Sequence, residues 1–369
     1  MTVWHVGQST SHTSVDGVNA VVWLVAAAQA ELGLRPVLVN RRPLEREASA
    51  FAETQGIREL TIPALGPGVA PRGVPAALMR DQPRVVHIHS VFVPYHAFLS
   101  RVLKSEGVPY VVTPHGGVAP TVLARGRVKK ALYAAVLERR RFEDACAVTA
   151  VSAGEVDEIR AFAPRWQAPI PVVPNPVEAA LLEDGAGRAP VPGHRPLLAY
   201  LGRFDVHLKG IDRLYHIAKL LPEVDVHLFG AEHRPTRSAH AALERSRPPN
   251  LSVFPPVYGA AKADALRMCS MYVQMSRSDA FGVAVAEAMS LGVPAAVSVA
   301  MHMAPVIEQA QAGLVLSEDP ARAAEQLRAV LADPERLAWW GRNARAHALK
   351  NFHPRRVASA YVDVYDCVS

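Results

Sequence analysis

Through the first 177 residues, short apolar runs rich in β-branched residues alternate with longer stretches whose apolar positions recur at helical spacing. TVWHVG (2–7), PVLVN (36–40), VVHIH (85–89) and PYVVTP (109–114) read as strands, and the run from about Val18 to Leu32 as a helix. ACAVTAVS (145–152) and IPVVPN (170–175) continue the series. Such alternation indicates βα units around a parallel sheet. From Glu178 to Pro196 the periodicity stops, and EAALLEDGAGRAPVPGHRP, dense in Gly and Pro, predicts a linker. A second series follows: LLAYLG (197–202), a helix from Gly210 to Leu221, DVHLFG (225–230), LSVFPP (251–256), a helix from Ala260 to Cys269, MYVQMS (271–276), a helix from about Gly282 to Leu291, and PAAVSV (294–299). Residues 321–356 are helix-rich, and VASAYVDVYDCV has apolar residues at helical spacing.

The expected architecture is therefore α/β, with two Rossmann-like domains facing a central cleft. The N-terminal one spans 1–177 and the C-terminal one 178–354, with a helix at about 355–369 packing back on the first. In open α/β sheets ligands bind at the carboxyl ends of strands, so chemistry is expected in the loops after Gly7, Pro114, Gly202, Gly230 and Ser276.

Composition narrows the function classes. The chain has 369 residues, half of them hydrophobic and a fifth charged, which suits two packed domains and excludes a disordered chain. The net charge of +6 is dispersed, without the aromatic-studded basic face of a nucleic-acid binder. Cys146, Cys269 and Cys367 are far apart and odd in number, so neither a disulfide framework nor a zinc site is indicated, and a reducing cytoplasm is expected. No export signal is read at the N-terminus. The longest apolar run, Val18 to Ala30, is broken by Asn19 and Gln29 and falls short of the roughly 18 residues that cross a bilayer.

The candidate loops carry distinct chemistry. GQSTSHTSVDG (7–17) lacks G-x-G-x-x-G, against a nicotinamide or flavin dinucleotide. Its Asp16-Gly17 opens a helix whose N–H groups can receive a phosphate; alternatively Asp16 simply caps that helix. After PYVVTP comes His115-Gly116-Gly117, a titratable side chain beside two flexible residues, either catalytic or structural. His87 and His89 lie inside an apolar strand and read as packed in the sheet. GRFDVHLKG (202–210) offers Arg203 and Lys209, which can hold a diphosphate by a planar fork and a point charge, or form a solvated basic loop. In SRSDAFGVAVAEAMSLGVP (276–294), Asp279 precedes Phe281-Gly282 and Glu287 follows eight residues later, with a helix start between them. Those carboxylates can bind hydroxyls of a sugar nucleotide, or be ordinary helix-face charges.

Taken together, GRFDVHLKG, SRSDAFGVAVAEAM and TPHGG, in two βα halves, resemble the retaining family 4 glycosyltransferases with the GT-B fold. The likeness covers nearly the whole chain, with further matches at DGVNAVVW (16–23), VSAGEVDEI (151–159), VVPNPVE (172–178) and VYGAAKADALRMCSMYVQMS (257–276). It implies transfer of a sugar from a nucleotide-sugar donor to a hydroxyl acceptor with retained anomeric configuration, without a metal or other cofactor. By the motifs, Arg203 and Lys209 would bind the donor diphosphate, Glu287 the ribose and Asp279 a hydroxyl of the donor sugar. Phe281, Gly282 and Val283 would offer backbone contacts, Gly17 would let the first loop approach the diphosphate, and His115 would lie beside the reacting centre. The chain departs from the family where Asp279 replaces a glutamate, shortening its reach by about 1.5 Å. Pro176 and Glu178 depart too, and are read as structural. A non-catalytic nucleotide-sugar-binding protein is the alternative from another class.

RGRVKKALYAAVLERRR (125–141) concentrates cations around an apolar helix. Two readings stay open: a solvated helix with an apolar core face, or a cationic amphipathic surface that touches the inner face of an anionic membrane peripherally.

Overall fold

A computed structural model of the chain describes residues 1–7, 17–65, 70–124, 126–183 and 195–367. It divides into two compact units, Met1–Pro176 with Pro354–Ser369, and Val177–His353.

The strands of the first unit are β1 (Thr2–Val6), β2 (Arg35–Asn40), β3 (Arg58–Thr61), β4 (Ala64–Leu65), β5 (Ala70–Pro71), β6 (Val85–His89), β7 (Tyr110–Thr113) and β8 (Ala147–Val148). All but the antiparallel pair β4–β5 form one six-stranded sheet ordered β3-β2-β1-β6-β7-β8, with every pairing parallel. The second unit repeats that plan with β9 (Leu197–Leu201), β10 (Asp225–Phe229), β11 (Leu251–Phe254), β12 (Met271–Gln274), β13 (Ala295–Ser298) and β14 (Gly313–Leu316), ordered β11-β10-β9-β12-β13-β14 and again parallel throughout. Central strands of such sheets are covered on both faces, so they tolerate continuous apolar runs: β6, β12 and β13 are buried at every position.

In each sheet the strand order reverses once, between β1 and β6 and between β9 and β12. Loops that leave the carboxyl ends of such neighbours diverge to opposite faces and open a crevice. The segments so placed begin at Gly7 and Ser90 in the first unit and at Gly202 and Met275 in the second. Each unit has its own core. Trp4, Val86, Ile88, Leu99 and Phe142 belong to the first, and Leu198, Tyr200, Leu214, Met271 and Trp340 to the second. The helix Pro354–Asp366 buries Val357, Ala358, Tyr361, Val364 and Tyr365, an i, i+1, i+4, i+7, i+8 stripe, and packs on the helix Gly17–Glu31.

Three expectations are corrected. Within the expected linker, Ala179–Glu183 is helical because Leu181 and Leu182 bury there; residues 184–194 lie outside the described ones. Segment 170–175 contributes only a single bridge, Ala150 to Val172, since Pro171 and Pro174 cannot donate to a ladder. In 125–141, Arg141 is not part of a cationic surface. It is buried, ion-paired with Glu138, and donates to Ser90 O at 2.9 Å. Arg125 lies outside the described residues, as does Asp16. Among the described residues, no helix is long and apolar enough to cross a membrane.

Candidate active site

At the crevice of the second sheet, the β9 and β12 loops bring Lys209 and Asp279 together: Nζ donates to Oδ2 at 2.5 Å. Gln274, the last residue of β12, donates to the same oxygen at 2.7 Å, and Gly282 N donates to Oδ1 at 3.0 Å. Burial alone would raise the Asp279 carboxyl, but the Lys209 ammonium prevails and holds it below the usual carboxylate value. The close approach of the two loops depends on Gly210, where a Cβ would lie 1.9 Å from Met275 O and φ is +67°. Arg277 then clamps the rim by a bidentate pair with Asp212, at 2.9 and 2.7 Å, and a bond to His207 O at 2.7 Å. Phe281 is buried edge-on against Phe352, so only its backbone is left to the crevice. Val283 is the first residue of the helix Val283–Ser290.

Glu287 lies one turn further along that helix and meets a lysine: Lys262 Nζ donates to Glu287 Oε1 at 2.7 Å and to Glu178 Oε1 at 2.6 Å. Burial pushes the Glu287 carboxyl above its ordinary value against the pull of Lys262. Burial also works against the Lys262 charge, yet the two carboxylates prevail and push it up to about 12. Arg203 is exposed and forms no salt bridge with any described residue; its carbonyl accepts from Tyr200 Oη at 2.9 Å.

In the first unit His115 follows β7 with φ at +51°, in the left-handed region that few non-glycine residues adopt. Glu155 secures this turn. Its carboxylate accepts from Gly116 N and, at 2.7 Å, from Val151 N, and Ser152 Oγ caps its helix, Ala153–Phe162. Next to it, a Cβ on Gly117 would lie 2.2 Å from Val91 Cγ2. His115 Nε2 is 3.0 Å from His89 Nδ1. Burial lowers its pKa to about 4, with Asn175 opposing in part, so the ring is neutral at pH 7. His87 and His89 are fully buried; His87 bonds Thr113 of β7 and Tyr365 of the helix Pro354–Asp366, and His89 bonds His115. Gly17 is the first residue of the helix Gly17–Glu31.

Two family descriptions match this chain, "Glycosyl transferase 4-like domain" over residues 16–176 and "Glycosyl transferases group 1" over residues 187–347. The chain belongs to the family 4-type glycosyltransferases of GT-B fold. A D-inositol 3-phosphate glycosyltransferase of Xylanimonas cellulosilytica is 28% identical, covering 95% of this chain and 91% of that protein. Among solved structures, sucrose-phosphate synthase of Thermosynechococcus elongatus superposes with a TM-score of 0.80 at 19% identity, covering 99% and 98% of the two chains. Anabaena HepE in complex with UDP and glucose gives 0.77 at 13% identity, with 99% of each chain covered. Family membership does not favour a non-catalytic binder.

The structure of this glycosyltransferase adds residues that the sequence reading passed over. Lys262 lies inside VYGAAKADALRMCSMYVQMS, but nothing in its local pattern signals a partner 25 residues away. Glu178, read as a structural departure, shares that lysine with Glu287. Gln274 sits in an apolar strand, where a lone amide was the available signal. Glu155 lies in VSAGEVDEI, and nothing in that pattern signals its burial.

Proposed function

We propose that this glycosyltransferase moves a sugar from a nucleotide-sugar donor to a hydroxyl acceptor with retention of configuration, by attack on the face from which the diphosphate departs. The observation that carries the reading is the Lys209–Asp279–Gly282 constellation at the reversal point of the second sheet. Lys209 and Arg203 supply positive charge to the diphosphate, Asp279 and the backbone of Phe281, Gly282 and Val283 receive the donor sugar and phosphate, and Glu287 receives the ribose. Gly17 admits the first loop to the diphosphate, and His115 stands beside the reacting centre.

A double displacement needs a carboxylate whose lone pair is free to attack the anomeric carbon. Asp279 has both oxygens engaged, by Lys209 and Gln274 on one side and by Gly282 on the other, and Glu287 is held by Lys262. This supports same-face attack, in which the leaving oxygen takes the acceptor proton and the cations stabilise the departing charge. No metal ion enters the scheme.

Lys209→Ala and Glu287→Ala are each expected to lower transfer by about 100-fold, the usual effect of removing one charge-stabilising contact from a closed site. Circular dichroism should show both still folded. Near-normal turnover of folded Lys209→Ala refutes the diphosphate assignment. EDTA is expected to leave the rate within about 2-fold, since the basic pair fills the role a divalent ion plays elsewhere. Abolition by EDTA with rescue by Mg²⁺ or Mn²⁺ overturns this leaving-group chemistry.

The acceptor side supports a second element of the reading, peripheral contact with an anionic membrane. Val128, Leu132 and Val136 are 82%, 67% and 57% exposed at i, i+4 and i+8, flanked by exposed Arg127 and Lys129.

A further inference from the structure

The buried histidines of the first unit form a hydrogen-bonded chain that ends at His115. His5 on β1 and His87 on β6 are register partners, and His89 follows two residues later on the same face of β6. His5 Nε2 lies 2.8 Å from Gln29 Oε1, His5 Nδ1 lies 3.2 Å from His89 Nε2, and His89 Nδ1 lies 3.0 Å from His115 Nε2. Gln29, His5 and His89 are wholly shielded from solvent. A second branch, joined to the first where Gln29 Nε2 donates to Tyr365 Oη at 3.3 Å, runs alongside: His87 bonds Tyr365 Oη and Thr113 Oγ1, each at 2.7 Å, and Thr113 bonds Thr149 at 2.5 Å.

Donor arithmetic gives the first branch a direction. A neutral imidazole has one N–H and one lone pair, so a ring that donates through one nitrogen accepts through the other. Gln29 Oε1 can only accept, which makes His5 Nε2 the donor and His5 Nδ1 the acceptor of His89 Nε2–H. His89 Nδ1 in turn accepts from His115 Nε2–H. The lone pair of His115 is thereby left at Nδ1, a buried atom to which no described side chain donates within hydrogen-bond geometry, and the Asn175 side chain lies beside the ring. Protonating either inner ring would set two N–H groups against each other, and burial already disfavours the charged form. The same three strand histidines are close enough together to hold a metal ion, but each ring nitrogen of His5, His87 and His89 is engaged by the partners named above.

We propose that Gln29, His5 and His89 are positioning residues that fix His115 in its Nε2–H tautomer, so that Nδ1 accepts a hydrogen bond from a substrate hydroxyl. The proposal rests on the reading of His115 as a site residue. Gln29 lies on the helix Gly17–Glu31, three residue contacts away from the atom it governs.

The test is ¹⁵N NMR of the full chain labelled at histidine, with the His115 resonances assigned by their loss in His115→Asn, alongside steady-state kinetics. Wild type is expected to show a protonated Nε2 and a bare Nδ1. Gln29→Leu removes the terminal acceptor and should let His115 populate both tautomers. It should also lower kcat by about 10-fold, the lower end of what losing a partner that orients a histidine costs. A rise in KM for the donor or for the acceptor then tells which substrate carries the hydroxyl. Gln29→Glu keeps an acceptor facing His5 and should retain the wild-type tautomer and most of the rate. Thr149→Val cuts only the second branch and should leave the His115 tautomer unchanged. A protonated Nδ1 in wild type, an unaltered tautomer in Gln29→Leu, equal effects of Gln29→Leu and Thr149→Val, or stoichiometric metal in the purified protein each overturn the proposal. Because the NMR signal needs no turnover, a tautomer that follows Gln29 while His115→Asn transfers normally isolates failure to the site reading of His115.

Discussion

Lys209 and Asp279 suggest, in the linear sequence, two independent ligands, one for phosphate and one for a sugar hydroxyl. Their 2.5 Å contact makes them a unit in which the Lys209 ammonium keeps Asp279 ionised before any donor arrives. Lys262 pairs with Glu287 as well, though there burial outweighs its pull on the carboxyl, and this pair has the larger energetic consequence because both members are 12% exposed. Lys262→Ala leaves a buried carboxylate unpaired and facing Glu178, and should cost about 3 kcal/mol of stability. Urea unfolding of wild type, Lys262→Ala and Lys262→Ala/Glu287→Gln checks this. The double variant should recover most of the loss, because neutralising the stranded carboxylate removes its penalty. A single variant as stable as wild type would show that the ion pair carries no net weight.

At the level of elements, the stretch after the His115 loop shows what a pattern leaves open. Its helical character follows from local spacing, and Arg127–Tyr133 is a helix that buries none of its residues. Only packing decides which charges reach the surface. Lys130 turns inward, donating to Val122 O at 2.5 Å and lying 5.6 Å from the centre of the Phe92 ring, while Arg127 and Lys129 stay exposed. Val128, Leu132 and Val136 form an exposed stripe, while Ala134 turns into the core of the first unit. Vesicles containing anionic lipid should therefore pull the protein down in co-sedimentation at low salt. Each basic residue near such a leaflet adds roughly 1 kcal/mol, so Arg127→Glu/Lys129→Glu should weaken binding by more than about 10-fold. No binding at low salt removes the membrane contact and leaves a soluble acceptor.

On the scale of the whole molecule, the first unit concentrates neutral histidines. His5, His87, His89, His96 and His115 all have pKa values lowered by burial, His5 and His115 to about 4 and His96 to about 3. A base whose folded pKa lies below its unfolded value binds fewer protons when folded, so stability rises with pH across the gap. The stabilisation is complete above the unfolded value of about 6.5 and is lost as pH falls toward 4, at up to about 1.4 kcal/mol per pH unit for each histidine. Unfolding midpoints in urea should hold steady from pH 8 to 7 and then drop steeply between pH 6 and 5. A flat profile over that interval would contradict the burial of these rings as neutral groups.

The sequence by itself determined the alternation of strands and helices, the repetition of that alternation in two halves, and the loops from which the candidate site is built. Those features follow from backbone periodicity and from glycines and prolines acting over a few residues, so they are written locally. Where local pattern misled, as at Ala179–Glu183 and 170–175, burial of two leucines and the missing N–H groups of prolines decided instead. Only the tertiary structure decided which polar groups face each other. Lys209 and Asp279 are 70 residues apart, Lys262 and Glu178 are 84, and so are His5 and His89. Parallel strands meet through crossovers of many residues, and their register is set by the fit of buried side chains over the whole sheet. A pairing across that distance leaves no period in the chain to read, and the partners of Asp279, Glu287 and His115 became visible only once β1 lay beside β6 and β9 beside β12.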